Sequence, residues 1–272
     1  MSASSTIVRR SAMGWAVLRV FTIGFFIFIF APIAIVVAVS FTPEAGVNFP
    51  FQGFSLRWYE RILEYRPFLD SLLTSLYLAL ASALVAMMFA IPAALFLGRS
   101  RSRWCTTVAS FLLAPIAIPA LVIGLALLYF LSSLGLGASF LALLIAHTVV
   151  SIPYIMRTTL ATYRSVGAHL QEASSVLGAS PLQTFRRITL PLIAPGIFAG
   201  ALFSILVSLD NLAISYFFGT ANVTTLPVVM LSYMQNQFDP AIAAISTVQM
   251  AISVLLLLIV EKTYGLRALT TQ

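Results

Sequence analysis

Charge is what this chain has least of. Only 8% of its 272 residues are Asp, Glu, Lys or Arg, against 60% that are hydrophobic. A water-soluble domain carries about a quarter charged residues, so this composition excludes one. A mean hydropathy of +1.02 belongs to a chain that crosses a bilayer several times. Cysteine is scarce as well. Cys105 stands alone, which excludes an intrachain disulfide and suits a small packing residue near a membrane edge. Lysine occurs once, at Lys262, and follows Glu261. A phosphate-binding loop needs a lysine after glycine, so this chain cannot hold ATP in that way. Histidine is limited to His147 and His169, which are far apart and have no acidic neighbours. No Ser/His/Asp set or carboxylate pair is legible, and the chain does not read as an enzyme. His147 falls in an apolar stretch and is expected to bond a neighbouring helix rather than a ligand.

The charge that remains is basic, with a net of +7. In a membrane chain, arginines gathered in cytoplasmic loops account for this, and no nucleic acid is implied. The uncharged stretches delimit the spans. Residues 1–19 hold Arg9, Arg10 and Arg19 and read as a cytoplasmic N-terminus. The run over 20–41 is too long for the apolar core of a cleaved signal and predicts a retained first helix. The segment 42–69 is periplasmic and carries an amphipathic helix. Trp58, Tyr59, Ile62 and Leu63 share one face, and Arg57, Glu60, Arg61 and Glu64 share the other. Ser55 can cap its start, and its aromatics are expected at headgroup depth on the membrane surface.

A transmembrane domain then fills 70–261, with spans at about 71–98, 106–132, 139–156, 191–218 and 241–260. No charged residue occurs from Trp104 to Met156, too far for one span, and Gly135 and Gly137 supply the break. Pro115, Pro119 and Pro153 would each free a backbone carbonyl, which neighbouring helices must satisfy again. The stretch from Gly219 to Pro240 reads as a loop with a turn over Thr225–Val228, and 262–272 as a cytoplasmic tail. Six spans put both termini on one side. Twelve Lys and Arg fall on that side, and three, Arg57, Arg61 and Arg66, on the other. Lys and Arg collect in the cytoplasm, so both termini and Ala179 are cytoplasmic and Asn222 is periplasmic.

The longest polar interruption of the C-terminal two-thirds runs from Leu170 to Pro191, within a cytoplasmic loop over 161–190. Val166, Leu170, Ala173 and Leu177 recur at helical spacing. Gly178 stands where a left-handed stop is wanted. Ser180, Pro181 and Gln183 then supply an N-cap, a first helical residue and a capping box. Read locally, such a helix–glycine–helix unit beside a bilayer is either an ordinary cytoplasmic loop whose arginines enforce topology or a docking surface. At the outer end of the next span, Asp210 is the one acid in an uncharged run from Ile188 to Phe238. It lies twenty residues beyond Leu190, or roughly 30 Å of helix, in the outer part of the membrane. An acid inside a span marks a candidate functional site, here either a cation-attracting group at the mouth of a pathway or a structural residue that bonds a neighbouring helix together with Ser208 or Asn211.

Glu172-Ala173, then Gly178, then nine residues to Ile188, then Leu190-Pro191 resembles the EAA loop of binding-protein-dependent ABC importer permeases. The departure is Ser174, where the family usually has alanine. FSLRWY at 54–59, AHTVVSIPY at 146–154, SLDN at 208–211, TLPV at 225–228 and PAIAAIST at 240–247 resemble the spermidine/putrescine branch. That branch commonly has two consecutive acids where this chain has Asp210 and Asn211. The resemblance implies an all-α polytopic protein with the type I ABC importer (MetI-like) transmembrane fold, in a bacterial inner membrane. It implies a coupling role for Glu172, Ala173, Gly178, Ile188, Leu190 and Pro191, and a pathway role for Asp210 and Asn211. The implied partners are a cytoplasmic ATPase subunit, a second and different permease subunit, a periplasmic substrate-binding protein and the lipid bilayer. No cofactor or metal is expected on this chain; ATP and magnesium belong to the ATPase. Two other classes would leave different marks. A self-contained secondary transporter would carry more intramembrane acids and repeated halves, and autonomous ion-coupled uptake would identify it. A structural or sensory subunit would not need the docking loop.

Overall fold

A computed structural model describes residues 3–46, 53–100, 102–220, 223–237 and 239–264. Arg101, Asn222 and the tail from 265 lie outside the described residues. The helices are α1 (Ala3–Ser40), α2 (Arg57–Glu64), α3 (Arg66–Arg99), α4 (Arg103–Leu113), α5 (Ala120–Ser133) and α6 (Phe140–Ser165). They continue with α7 (Ala168–Val176), α8 (Pro181–Thr184), α9 (Leu190–Leu209), α10 (Leu212–Phe218), α11 (Leu226–Asn236) and α12 (Ala241–Tyr264). Among the described residues five helices are long and apolar enough to cross a membrane, and α4 with α5 forms a sixth candidate bent by 102°. The chain divides into two compact units, Met1–Glu64 with Gln237–Met250, and Tyr65–Asn236 with Ala251–Gln272.

In the larger unit α3, α6 and α9 pack most extensively against one another. Association inside a bilayer gains little from the hydrophobic effect, so close approach through small residues takes its place. Accordingly α3 buries Ala79, Ala83, Ala86, Ala90 and Ala94. On α9, Gly196 and Gly200 sit directly on α6. A Cβ at Gly196 would lie 2.9 Å from the Thr158 carbonyl oxygen, and one at Gly200 would lie 2.7 Å from the Ile155 Cα. Ile155, Met156 and Leu160 of α6 fill the space beside the α3 alanines. Leu78, Leu143, Ala146, Ile214 and Phe218 form a second cluster.

In the smaller unit α2 packs against its own chain. Trp58 and Ile62 are buried, the Trp58 indole N–H donates to the Thr42 carbonyl at 2.8 Å, and Ser40 bonds the Tyr59 hydroxyl at 2.7 Å. The expected contact of this face with the membrane surface is therefore corrected in part: Trp58 and Ile62 face protein, and of the apolar face Leu63 is the exposed member. Amphipathicity shows that a face is buried, without showing in what.

Three further expectations change. The third span is not one helix: α4 ends in a 3-10 turn over Ala114–Ile116, and α5 starts after Pro119, which has no N–H to continue the ladder. The stretch expected to turn at Thr225–Val228 starts α11 instead, with Pro227 in the first helical turn, where its missing N–H costs nothing. Leu226 is buried and its N–H donates to Ser75 Oγ of α3 at 2.8 Å. The fifth span does not run unbroken to Phe218, because the helix stops at Leu209 and restarts at Leu212.

Candidate functional site

The docking loop closes through local bonds. At the end of α7, Gly178 takes φ +79°, a conformation that any side chain would strain. Its N–H reaches the Ser175 carbonyl, and the Ala179 N–H reaches that of Ser174. This pair of bonds is the Schellman arrangement, which satisfies carbonyls left open at a helix end. Ser180 and Gln183 then complete a capping box, with bonds of 3.3 and 2.8 Å.

Two side-chain bonds join the loop's helices. Ser174 Oγ meets Thr184 Oγ1 at 2.8 Å, both side chains being buried. Gln171 donates to Thr189 Oγ1 at 3.0 Å. An alanine at 174 could not make the first bond, so the departure from the family pattern has a structural use here.

Beyond Thr184 the helix does not stop. Phe185–Thr189 forms a π turn in which the Leu190 N–H reaches back to the Phe185 carbonyl, and α9 follows without a gap. Pro191 lacks the N–H that an α-helix would use, and the wider turn before it accommodates the proline ring. One helix of 29 residues, Pro181–Leu209, thus joins the docking loop to the helix break at Asp210. The expectation of a separate fifth span opening near Pro191 is corrected accordingly.

Of the sequence-predicted coupling residues, Glu172 and Ala173 are exposed on α7, and Gly178 makes the turn. Ile188 is half-buried in the π turn, Leu190 packs beside Tyr163, Ile193 and Ile197, and Pro191 is exposed. Val176 and Leu177 are 86% and 87% exposed at the tip. Glu172 has no ion-pair partner among the described residues.

Asp210 and Asn211 occupy the helix break at the other end, so the structure does not bring them together with the loop residues. Asn211 Oδ1 accepts from the Ile214 N–H at 3.0 Å and caps α10. The Asp210 carboxylate has no partner among the described residues and lines an open cavity of about 890 Å³. Apart from Asp210, Asn211 and the Tyr216 hydroxyl, the wall is apolar, including Leu121 of α5 and Phe203 and Leu206 of α9. Behind the break, His147 of α6 bonds Ser208 at 2.8 Å and Ser215 at 3.2 Å. Sequence reasoning expected a helix partner for His147 and missed both serines, whose signal is a hydroxyl on each side of an acid in an apolar run. Among the described residues no group of three His, Cys, Asp or Glu side chains could hold a metal.

A membrane bundle with a docking helix at one end of a long helix and an acid-bearing groove at the other defines a transport permease subunit. The chain belongs to the family described as "Binding-protein-dependent transport system inner membrane component", whose model matches residues 86–263. It is therefore a multi-pass inner-membrane protein. It is 28% identical over 232 residues to the spermidine/putrescine transport system permease protein PotC of Haemophilus influenzae, covering 85% of this chain and 90% of that one. It is 31% identical over 229 residues to the putrescine transport system permease protein PotI of Escherichia coli K12, covering 82% and 81%. Its fold matches a chain of a bacterial alginate ABC transporter solved with an alginate pentasaccharide-bound periplasmic protein, with a TM-score of 0.71, 18% identity and 98% of each chain covered.

Proposed function

We propose that this permease subunit carries a small organic cation of the polyamine class inward. The observation that carries the reading is the groove at the helix break. A protonated amine is drawn to the free Asp210 carboxylate and to the faces of aromatic rings, and Phe203 and Tyr216 are both more than half exposed there. The methylene chain between two amines suits the leucine-lined remainder of the wall. The names of the PotC and PotI relatives support the same class.

Transport is driven by a separate ATPase subunit, which holds ATP and magnesium and receives the loop carrying Glu172, Ala173, Gly178, Ile188, Leu190 and Pro191. The exposed tip of Val176 and Leu177 offers that partner apolar surface beside the free Glu172 carboxylate. A periplasmic binding protein delivers the solute, and a second, different permease subunit completes the pathway with Asp210 and Asn211. The positive-inside count puts both termini and this loop in the cytoplasm.

The test is uptake in vesicles holding the complete transporter and its binding protein. Labelled putrescine enters in an ATP-dependent way, and spermidine competes with it while a zwitterionic amino acid does not. Competition by the amino acid and not by spermidine would overturn the assignment of class.

A further inference from the structure

The acid of the groove sits on a segment with little to hold it. Asp210 and Asn211 interrupt the helix, and α10 beyond them is only seven residues long. A helix that short has no stability of its own, so its angle to α9 depends on what it touches. Ile214 and Phe218 bury it against Leu143 and Ala146 of α6, but apolar burial is non-directional. Gly124 of α5 lets it come close, since a Cβ there would lie 3.3 Å from the Ile214 Cα. Direction comes from His147, which is 1% exposed. Its Nδ1 meets Ser208 Oγ, two residues before Asp210, at 2.8 Å, and its Nε2 meets Ser215 Oγ, five residues after, at 3.2 Å. A neutral imidazole has one donor and one acceptor, and a serine hydroxyl can complement either. Both ring nitrogens are therefore used, one on each side of the break.

We propose that His147 is the positioning residue of the groove: by bonding Ser208 and Ser215 across the break it fixes the angle between α9 and α10 and holds the Asp210 carboxylate in the cavity wall. The inference rests on the reading of Asp210 as the solute-attracting group. His147 does not itself touch the solute, because it is buried and its nitrogens are engaged.

The test uses the complete transporter in vesicles. Cys105→Ala removes the one native thiol, and Asp210→Cys places a thiol at the break. The rate at which a small cationic thiosulfonate labels it is compared with and without His147→Phe. Loss of the bridge lowers the rate about fivefold or more, the scale of one neutral hydrogen bond; a rate unchanged within about twofold would overturn the proposal. If His147→Phe is not recovered from the membrane, Ser208→Ala combined with Ser215→Ala removes the bridge from the other side, and the same two outcomes decide. A second measurement keeps Asp210 and follows putrescine uptake. There the bridge variant raises KM about tenfold or more, as a misplaced binding group does, and leaves kcat and binding-protein-stimulated ATP hydrolysis in place. Slower labelling with an unchanged KM would leave His147 as the positioning residue and remove Asp210 as the solute-attracting group, so the two readings fail separately.

Discussion

The two ends of the helix that runs from Pro181 to Leu209 solve the same problem in the same way. At the loop end, Ser174–Thr184 and Gln171–Thr189 tie the helix to α7. At the Asp210 end, His147 ties it to α6 through Ser208 and carries the tie on to Ser215 of α10. Every bond in both clamps is between neutral groups. Beside each clamp stands one carboxylate without a partner among the described residues, Glu172 at one end and Asp210 at the other. The difference lies in what surrounds the acid: an exposed tip with Val176 and Leu177 at the first, a concave wall with Phe203 and Tyr216 at the second. Neutral bonds suffice to hold geometry where water is scarce, whereas an ionised pair would be costly to desolvate. On the proposed function, the charge left outside each clamp is the part that meets the ATPase at one end and the solute at the other.

The sharpest way to break this comparison is to remove the rod that joins the two ends. Gly200→Leu drives a side chain into the backbone of α6, where even a Cβ would lie 2.7 Å from the Ile155 Cα. Overpacking of a fitted interior costs about 1–3 kcal/mol, and backbone contact puts this variant at the upper end or beyond. Thermal unfolding of the purified complex should fall by several degrees or the subunit should be lost; an unchanged transition would show that α6 and α9 do not meet as described.

The next effect isolates the loop end. Glu172→Ala, or Gly178→Val at φ +79°, should leave the protein inserted, weaken retention of the ATPase and cut ATP-driven uptake about tenfold. The glycine variant works through about 1–2 kcal/mol of left-handed backbone strain. Copurification of the ATPase together with uptake measures both effects, and normal values for both variants would end the coupling account.

A smaller change sharpens the role of the clamp. Thr184→Val leaves the buried Ser174 hydroxyl unpaired and should cost about 1–3 kcal/mol, whereas Ser174→Ala combined with Thr184→Val removes both partners and should recover part of that loss. A double-mutant cycle on thermal stability reads the difference, and strict additivity would show that the bond contributes nothing. The smallest effect belongs to Asn211→Asp. Aspartate caps a helix as well as asparagine does, so stability should hold within about 0.5 kcal/mol while the groove gains a second acid. Apparent affinity for a diamine should rise modestly over that for a monoamine; a large loss of stability would mean that Asn211 does more than cap α10.

Much of this was legible in the sequence. The uncharged runs marked where apolar helices lie, Gly178 and the Ser180–Gln183 box marked the loop, and the isolation of Asp210 marked the groove. The breaks were harder to see. Pro119 was visible as a residue that frees a carbonyl, yet nothing local indicated a bend of 102°. The stop at Leu209 has no proline or glycine, and it became intelligible only once Asn211 was seen capping α10 and His147 bridging the gap. Those contacts join residues 61 and 68 positions apart, beyond the reach of any local pattern. The amphipathic face of α2 was legible as a face, but not the packing of Trp58 and Ile62 against protein, because Trp58 serves either environment equally well.

The claim that the free acid at the helix break is reserved for a cationic solute is tested most directly by Asp210→Asn in vesicles holding the complete transporter. The substitution keeps the shape of the side chain and removes its charge. Uptake of putrescine at subsaturating concentration should fall about tenfold, the scale of a lost charge-assisted contact, while the loaded binding protein still stimulates ATP hydrolysis. Equal uptake by the variant and the unmodified protein would contradict the account and make Asp210 a structural residue of the helix break.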